Sequence, residues 1–276
     1  MICFPNCKIN LGLYITRRRE DGYHDIETVF YPLNIVDVLE ISTFAEATAD
    51  KAETKVHMSG LPVSGNDTDN LVWKAYELIK ANSPKVGPLD IFLHKAIPMG
   101  AGLGGGSADG AFMLRLLNDF YNLGFNSGQL AAFALQVGSD CPFFIYNTPK
   151  FATGRGEQMS DIAIDLSEYS VQVICPEVHV STREAFAAVT PKPAPYDLRT
   201  LFSLPVGSWK DKIGNDFEAP VFKMHPVLSE IKQQLYAQGA LYASMSGSGS
   251  AIFGIFKKRE RAEIKVPVSF KDFYVE

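Results

Sequence analysis

The sequence has few cysteines, no excess of basic residues and no long apolar run, and each absence excludes a class of protein. Its four cysteines are scattered over 276 residues, and no second cysteine pair or nearby histidine completes a zinc site with Cys3 and Cys7. Lysine and arginine number 26 against 31 aspartates and glutamates, which argues against a nucleic-acid-binding protein. No run approaches the roughly 18 apolar residues of a membrane span, and the start lacks a signal-peptide pattern. We therefore predict a cytoplasmic protein with no membrane or nucleic-acid partner and no obligate protein partner.

Apolar residues alternate in some segments and recur at helical spacing in others, which predicts a mixture of strands and helices. Strands are predicted at "KINLGLYI", "IVDVLEIS", "TKVHMS", "LDIFLHKAIP" and "CPFFIYN", and again near the C-terminus. Helices are predicted at "DTDNLVWKAYELIKANS", "SGQLAAFALQVG" and "TREAFAAV". Because the elements follow no regular strand–helix repeat, the sequence predicts the α+β class. The turn-rich "TGRGEQ" at 153–158 is a plausible seam between two halves.

A glycine-rich loop stands between a predicted strand and a predicted helix. Glycines allow positive φ angles and close approach of the backbone to a ligand, and a helix start favours bound anions. The sequence therefore predicts a phosphate-binding loop formed by Pro98, Met99, Gly100, Ala101, Gly102, Leu103, Gly104, Gly105, Gly106, Ser107 and Ala108.

A dinucleotide site, a Walker motif and a protein-kinase loop each fit this stretch less well, while a turn without a ligand stays open. Gly100 to Gly105 fits a dinucleotide fingerprint, yet no acidic residue ends a second strand about 20 residues later. The loop lacks the lysine of a Walker motif, and the chain has no H-R-D or D-F-G segment of a protein kinase.

A second glycine-rich stretch, "SMSGSGSAIFGIF", lies at 244–256. Gly247 and Gly249 flank Ser248, which allows another close approach of the backbone to a ligand. A tight hairpin turn fits the stretch equally well. Two separated glycine loops in one chain favour a site to which both contribute.

Several motifs together resemble one family. "PMGAGLGGGSA" and "MSGSGSAIFGIF" resemble the two glycine motifs of the GHMP kinases. "PNCKINLGLYITRRREDGYHDIETVF", "GSDCPFF", "FATGRGE" and "NDFE" are similar to the 4-diphosphocytidyl-2-C-methyl-D-erythritol kinases within that superfamily. The motifs span residues 5 to 256, so the resemblance covers most of the chain.

The resemblance implies a two-lobed GHMP-kinase fold, with an N-terminal α/β lobe over 1–155 and a C-terminal ferredoxin-like lobe over 156–276. It implies that ATP lies on the loop at 98–108 and contacts Gly247 and Ser248. The implied reaction phosphorylates the 2-hydroxyl of a cytidine-diphosphate-linked polyol in non-mevalonate isoprenoid synthesis. Ala108 stands where a second serine is common, which leaves Ser107 as the loop hydroxyl for a phosphate or for Mg²⁺.

Asp140 and Lys8 are the predicted catalytic residues. A hydroxyl acceptor needs a carboxylate near it, and Asp140 lies between a predicted helix and an apolar segment. The family places Lys8 beside this aspartate, where its charge would favour the ionised carboxylate. A helix-capping Asp140 and a surface Lys8 are the alternatives. The resemblance adds Asn10, Tyr23, His24 and Thr182 as substrate-binding residues.

The segment "DGYHDIE" predicts how the base of the substrate is bound. Asp21 and Gly22 form a turn signal, so Tyr23 and His24 are expected on a projecting hairpin or loop, where a ring can stack on a pyrimidine. An aromatic packed on its own strand stays open as an alternative. Another GHMP enzyme or a non-catalytic nucleotide-binding member are the rival functions.

Overall fold

A computed structural model of the chain describes residues 1–43, 53–63 and 66–276. The described residues form two compact units, each built from separate stretches of the chain. The first unit contains Met1–Cys7, Asn34–Met99 and Gly104–Thr148, and the second contains Lys8–Leu33, Gly100–Leu103 and Pro149–Glu276. The division into family lobes at residue 155/156 stays a prediction.

The described residues of the first unit form a four-stranded sheet in the order β1-β4-β6-β5 and four α-helices. β5 runs parallel to β6, while β4 is antiparallel to both β1 and β6. Helix α1 packs on α2, and α3 packs on α4. The strands are β1 (Ile2–Cys3), β4 (Val38–Thr43), β5 (Lys55–Gly60) and β6 (Leu89–Lys95); the helices are α1 (Leu71–Asn82), α2 (Gly105–Phe120), α3 (Ser127–Val137) and α4 (Cys141–Tyr146).

The helices of this unit begin in two different ways. Asn70 caps α1 by accepting a hydrogen bond from the Val72 amide, and Asn126 forms a capping box with Gln129 at the start of α3. In contrast, α2 begins after Gly104, which has a left-handed φ of 72° and no side chain to cap the helix. The first N–H groups of α2 therefore donate no hydrogen bond to a capping side chain.

The second unit contains an antiparallel sheet in the order β10-β11-β9-β12. Its core combines inward-facing strand residues with Leu228, Ile231 and Leu235, which recur at helical spacing along α7. The strands are β9 (Tyr169–Pro176), β10 (Tyr242–Met245), β11 (Ile252–Lys257) and β12 (Phe270–Val275); the helices are α5 (Thr182–Ala188), α6 (Glu218–Met224) and α7 (Pro226–Ala237). Short 3₁₀ helices span Leu198–Ser203 and Val206–Asp211, and a third, Asp67–Asp69, belongs to the first unit.

A third sheet has the order β2-β3-β7-β8, and most of its residues belong to the second unit. The strands are β2 (Asn6–Arg18), β3 (His24–Val36), β7 (Lys150–Thr153) and β8 (Gln158–Asp161). The turn at 153–158 joins β7 to β8 as a hairpin inside this unit, and its role as a seam between the two family lobes stays a prediction. The α+β class predicted from the sequence is confirmed.

Two predictions about secondary structure are wrong. The segment "CPFFIYN" is helix α4, not a strand, and its residues 141–145 are all buried. A short run that is apolar on every side does not distinguish a buried strand from a buried helix, although Pro142 in the first turn favours a helix. The segment "IVDVLEIS" is divided at Asp37 into the end of β3 and the start of β4. Among the helices in the described ranges, none is both long and apolar enough to cross a membrane.

Candidate active site

The loop at 98–108 takes the backbone conformation for which its glycines are suited. Gly100, Gly102 and Gly104 have φ angles of 68°, 78° and 72°, a region that other residues rarely adopt. Such left-handed residues allow successive backbone N–H groups to point into one concavity, which suits an anion. The loop continues directly into the uncapped start of α2, where Gly105, Gly106 and Ser107 form the first turn and Ala108 is buried.

The two glycine-rich stretches meet at Gly102. A Cβ atom at this position would lie 2.0 Å from the backbone oxygen of Ser246, so only glycine fits. The Ser246 hydroxyl donates to the Gly102 carbonyl over 2.8 Å, and the Ala251 amide donates to the Ala101 carbonyl over 3.0 Å. The second stretch is therefore more than a hairpin turn, because its backbone packs against the first glycine loop.

Lys8 is buried in this cluster, which excludes a surface lysine at this position. Its ammonium group donates to Asn10 Oδ1 over 2.7 Å and to the Gly102 carbonyl over 3.0 Å. The Nζ atom also lies 5.1 Å from the centre of the Phe30 ring. Asn10 is held in turn by Thr28, whose hydroxyl accepts from the Asn10 amide over 2.9 Å. A chain of hydrogen bonds thus fixes both Lys8 and Asn10.

Ser248 in the second glycine loop meets Thr182, the first residue of α5, and the ligand contacts predicted for both stay predictions. Their hydroxyl oxygens lie 3.0 Å apart. Gly247 has a φ of 57°, and the side chain of Asn215, within "NDFE", donates to the carbonyls of Met245 and Gly247 over 2.8 Å each. The "NDFE" segment therefore fixes the shape of this loop.

Asp140 lies between α3 and α4 and is half-buried. It occupies the residue before α4, but its side chain makes no capping hydrogen bond, which argues against the capping role. Burial raises the pKa of the neighbouring Cys141 thiol to about 12, against the opposing effect of a hydrogen bond with Ser107. Lys8 and Asp140 belong to different units, and their expected proximity stays a prediction.

Tyr23 and His24 lie at the hairpin that the Asp-Gly turn predicts. The Arg19 amide donates to the Tyr23 carbonyl over 2.8 Å, and Gly22 has a φ of 85°. The Tyr23 ring is 57% exposed, and the Arg155 guanidinium lies 4.9 Å from its centre. The ring is thus available to a ligand rather than buried against its own strand.

Phe186 is a candidate residue that sequence reasoning missed. Its ring stacks on His24 with a centroid distance of 5.0 Å and an interplanar angle of 22°, and it meets Phe217 edge-on. Thr182 and Phe186 are one turn apart on α5, a spacing that places them on the same side of the helix. This spacing was the signal in the sequence.

A second missed feature is a cluster of buried charges beneath the glycine loop. Lys95 donates to Asp37 Oδ2 and, over 2.6 Å, to Asp109 Oδ2, and all three side chains are buried. Burial, together with the charge of Asp37, raises the pKa of Asp109 to about 8 against the opposing effect of Lys95. Asp37 Oδ1 additionally accepts hydrogen bonds from two backbone amides, those of Ala96 and Ile97.

A cavity of about 140 Å³ opens beside this cluster in the first unit. Met99 and Gly106 line it from the glycine loop, Lys95 and Asp109 from the charged cluster, and Leu71 from the start of α1. Within residues 1–43, 53–63 and 66–276, no group of three or more histidine, cysteine, aspartate or glutamate side chains could hold a metal ion.

Comparison with known proteins agrees with this arrangement. The family model for the N-terminal domain of GHMP kinases matches residues 70–148, and the model for their C-terminal domain matches residues 205–269. A 4-diphosphocytidyl-2-C-methyl-D-erythritol kinase of Bacteroides thetaiotaomicron is 52% identical over 257 residues, which cover 93% of this chain and 92% of the relative. This chain belongs to that family of GHMP kinases. As a member of a kinase family, it uses ATP.

Another relative and a crystal structure support the same family assignment. A Parabacteroides distasonis protein of the same name is 50% identical, with 94% of this chain and 92% of the relative covered. The crystal structure of a 4-(cytidine 5'-diphospho)-2C-methyl-D-erythritol kinase superposes with a TM-score of 0.78 at 31% identity, over 92% of this chain and 90% of that one. A homoserine kinase from Cytophaga hutchinsonii has a TM-score of 0.72 at 16% identity over 100% and 93% of the two chains, a likeness of fold alone.

Proposed function

We propose that this chain transfers the γ-phosphoryl group of ATP to the 2-hydroxyl of 4-diphosphocytidyl-2-C-methyl-D-erythritol, in non-mevalonate isoprenoid synthesis. One observation supports this acceptor. About half of the residues, along nearly the whole chain, are identical to those of relatives that are named for this acceptor. Because ATP and the acceptor are both charged phosphate esters, we propose that the reaction takes place in the cytoplasm.

The phosphates of ATP would bind at the loop and the start of α2. Gly100, Gly102 and Gly104 have the left-handed angles of an anion-binding turn, and the first N–H groups of α2 have no capping side chain. Backbone groups could thus perform the task that a Walker lysine has in other kinases. The cavity lined by Met99 and Gly106 begins at the same loop, so we propose that the base of ATP enters it.

Asp140 would receive the proton of the acceptor hydroxyl. The acceptor oxygen would form a bond to the γ-phosphorus as the bond from that phosphorus to the bridging oxygen breaks, and ADP would leave. Lys8 would stabilise the negative charge that develops, since positioned charges supply most of the catalysis in phosphoryl transfer. Asn10 and Gly102 orient its ammonium group for this role.

Mg²⁺ would bind to ATP rather than to a cage made by the protein. The described residues contain no cluster of three or more acidic, histidine or cysteine side chains that could hold a metal ion. Mg²⁺ commonly takes most of its ligands from water and substrate phosphates, and the Ser107 hydroxyl in the first turn of α2 could add one. When bound, the ion would neutralise phosphate charge.

The cytosine of the acceptor would bind between the hairpin and α5. Tyr23 offers an exposed ring, while His24 and Phe186 form a stack that a flat base could join or open. An aromatic contact of this kind is worth about 1–3 kcal/mol per base. Thr182, which meets Ser248, lies one turn from Phe186 and would contact the phosphates of the acceptor.

A phosphotransfer assay with matched acceptors tests the proposal. We expect rapid ADP formation with the cytidyl acceptor and poor turnover of methylerythritol phosphate, homoserine or mevalonate. Asp140→Asn should fold normally and lose about 10²–10⁴-fold in kcat. Asp119→Asn, an exposed change on α2, is the control and should retain full activity. Equal turnover of the acceptors, or a kcat above about a third of the wild-type value in Asp140→Asn, would contradict the proposal.

A further inference from the structure

The buried cluster of Asp37, Lys95 and Asp109 joins three elements of the first unit. Lys95 is the last residue of β6, Asp37 fills the gap of one residue between β3 and β4, and Asp109 lies in the second turn of α2. None of the three is more than 2% exposed. None of the three side chains takes part in a chemical step of the proposed reaction. The parts of the chain that the cluster holds in place therefore indicate its role.

One side of the cluster fixes the chain as it enters the glycine loop. Asp37 Oδ1 accepts from the Ala96 amide over 2.6 Å and from the Ile97 amide over 2.9 Å. These two residues directly precede Pro98. Asp37, which lies between β3 and β4, therefore sets the direction in which the chain leaves β6.

The other side fixes the chain as it leaves the loop. Lys95 Nζ donates to Asp109 Oδ2 over 2.6 Å and so ties α2 to the end of β6. A Cβ atom at Gly105 would lie 2.9 Å from Ile97 Cγ2 and 3.4 Å from Lys95 Nζ. The first residue of α2 thus rests directly on Lys95 and Ile97, and both ends of the loop are held at one point.

Stability alone does not explain why charged residues occupy this place. Well-packed apolar residues of similar volume often stabilise a protein as much as a buried ion pair, or more. Hydrogen bonds, however, fix distances and directions more narrowly than apolar contacts do. A phosphate-binding loop needs such precision, because small displacements of positioning groups are costly in catalysis.

We propose that Asp109, acting through Lys95 and Asp37, is a positioning residue that sets the geometry of the loop for ATP. The inference rests on the proposed function for its ligand, since it takes the loop to be the ATP site. Asp109 lines the cavity proposed for the base of ATP but would not touch the phosphates. Its Oδ1 atom is buried and has no hydrogen-bond partner among the described residues, so Oδ2 carries the connection to Lys95.

Three substitutions at this position test the inference. Asp109→Asn keeps the shape and the oxygen that accepts from Lys95, and ATP affinity should stay within about threefold of the wild type. Asp109→Ala removes the acceptor, and Asp109→Glu keeps it but adds a methylene group. Both should weaken ATP binding about 10- to 100-fold. Asp109→Ala loses the hydrogen bond to the charged Lys95, which has a cost of this order, and the longer side chain of Asp109→Glu displaces Lys95 or the start of α2. The KM for the acceptor should change less than about twofold.

Calorimetric titration with ATP, beside steady-state kinetics, separates this role from a structural one. Asn126→Ala, which removes the capping box of α3 in the same unit, supplies a control that loses stability without touching the cluster. A lower melting temperature with unchanged ATP affinity in Asp109→Ala and Asp109→Glu would overturn the inference. If Asp109→Ala fails to fold, Asp109→Glu alone decides. Asp109→Asn binding ATP as weakly as Asp109→Glu would overturn it too.

The same titration keeps this inference separate from the proposed function. A wild-type protein that binds ATP but does not phosphorylate the cytidyl acceptor would contradict the proposed acceptor, while the comparison among the Asp109 variants would still stand. A wild-type protein that does not bind ATP would overturn both.

Discussion

Lys8 and Lys95 are both buried, with 4% and 1% of their surface exposed, yet their hydrogen bonds go to different kinds of acceptor. Lys95 donates to the carboxyl groups of Asp37 and Asp109. Lys8 donates to the neutral oxygens of Asn10 and Gly102 and lies over the Phe30 ring. The two lysines are thus similarly withdrawn from water, but the acceptors of Lys95 named here belong to acidic side chains, whereas those named for Lys8 are an amide and a carbonyl oxygen.

This difference indicates two functions for a buried cation. A carboxylate both orients an ammonium group and cancels its charge, which suits an anchor between elements of the fold. An amide or carbonyl oxygen orients the group without carrying a formal charge, which suits a cation that acts on a ligand. We therefore expect Lys95 to act mainly on stability and loop geometry, and Lys8 mainly on turnover.

The largest expected effect is on the stability of a Lys95→Met variant. Removing the cation leaves two buried carboxyl groups facing each other, and breaking a buried ion pair on one side costs about 3–5 kcal/mol. Urea unfolding measures the loss. Lys80→Met is the matched control, because the surface pair of Lys80 with Glu77 should contribute less than about 1 kcal/mol. A loss below about 1 kcal/mol in Lys95→Met would remove the anchoring role.

Lys8→Met should show the reverse pattern. We expect kcat to fall about 10²–10³-fold, the usual cost of removing a group that stabilises developing charge, with little change in the free energy of unfolding. Lys8→Arg should not restore kcat fully, because a forked guanidinium places its charge differently from an ammonium group. Lys150→Met is the control, since Lys150 is also buried but pairs with the exposed Asp161. If Lys8→Met kept its kcat and lost stability instead, the two lysines would not differ as proposed.

The sequence predicted those parts of the molecule that depend on local chemistry. The Asp-Gly turn indicated the hairpin that presents Tyr23, and Asn70 marked the start of α1 by its capping oxygen. The glycines of the first loop indicated its left-handed angles. In each case the residues that determine the local structure lie within a few positions of it, so a short sequence pattern predicts it.

Other parts depend on residues far apart in the chain and left no pattern. Lys95 is 58 residues from Asp37 and 14 from Asp109, and nothing in either neighbourhood indicates that the three meet. Lys8 stood as a lone cation on an apolar strand, and its burial follows from Gly102, 94 residues later. The helix at Cys141–Tyr146 was missed because its apolar residues are buried on every side.

The smallest expected effect is that of Gly102→Ala, which tests how Lys8 is oriented in contrast to Lys95. The Gly102 carbonyl accepts hydrogen bonds from both Lys8 and Ser246. Alanine there would adopt a φ of 78°, a strain of about 1–3 kcal/mol, and its Cβ would meet the Ser246 backbone oxygen at 2.0 Å. Since backbone atoms must move, the oxygen that orients Lys8 moves with them. We expect Gly102→Ala to lose about tenfold in kcat/KM for ATP.

Gly124→Ala separates the clash at Gly102 from the strain. Gly124 has nearly the same φ, 79°, but no atom within 4 Å of the added Cβ. This control should lose a similar amount of stability to backbone strain and keep kcat/KM for ATP within about twofold, since it lies in the turn after α2. Equal losses of kcat/KM for ATP in the two variants would show that backbone strain alone, without the clash, lowers activity. The Gly102 carbonyl would then have no separate part in orienting Lys8, and the contrast with Lys95 would rest on the lysine variants alone.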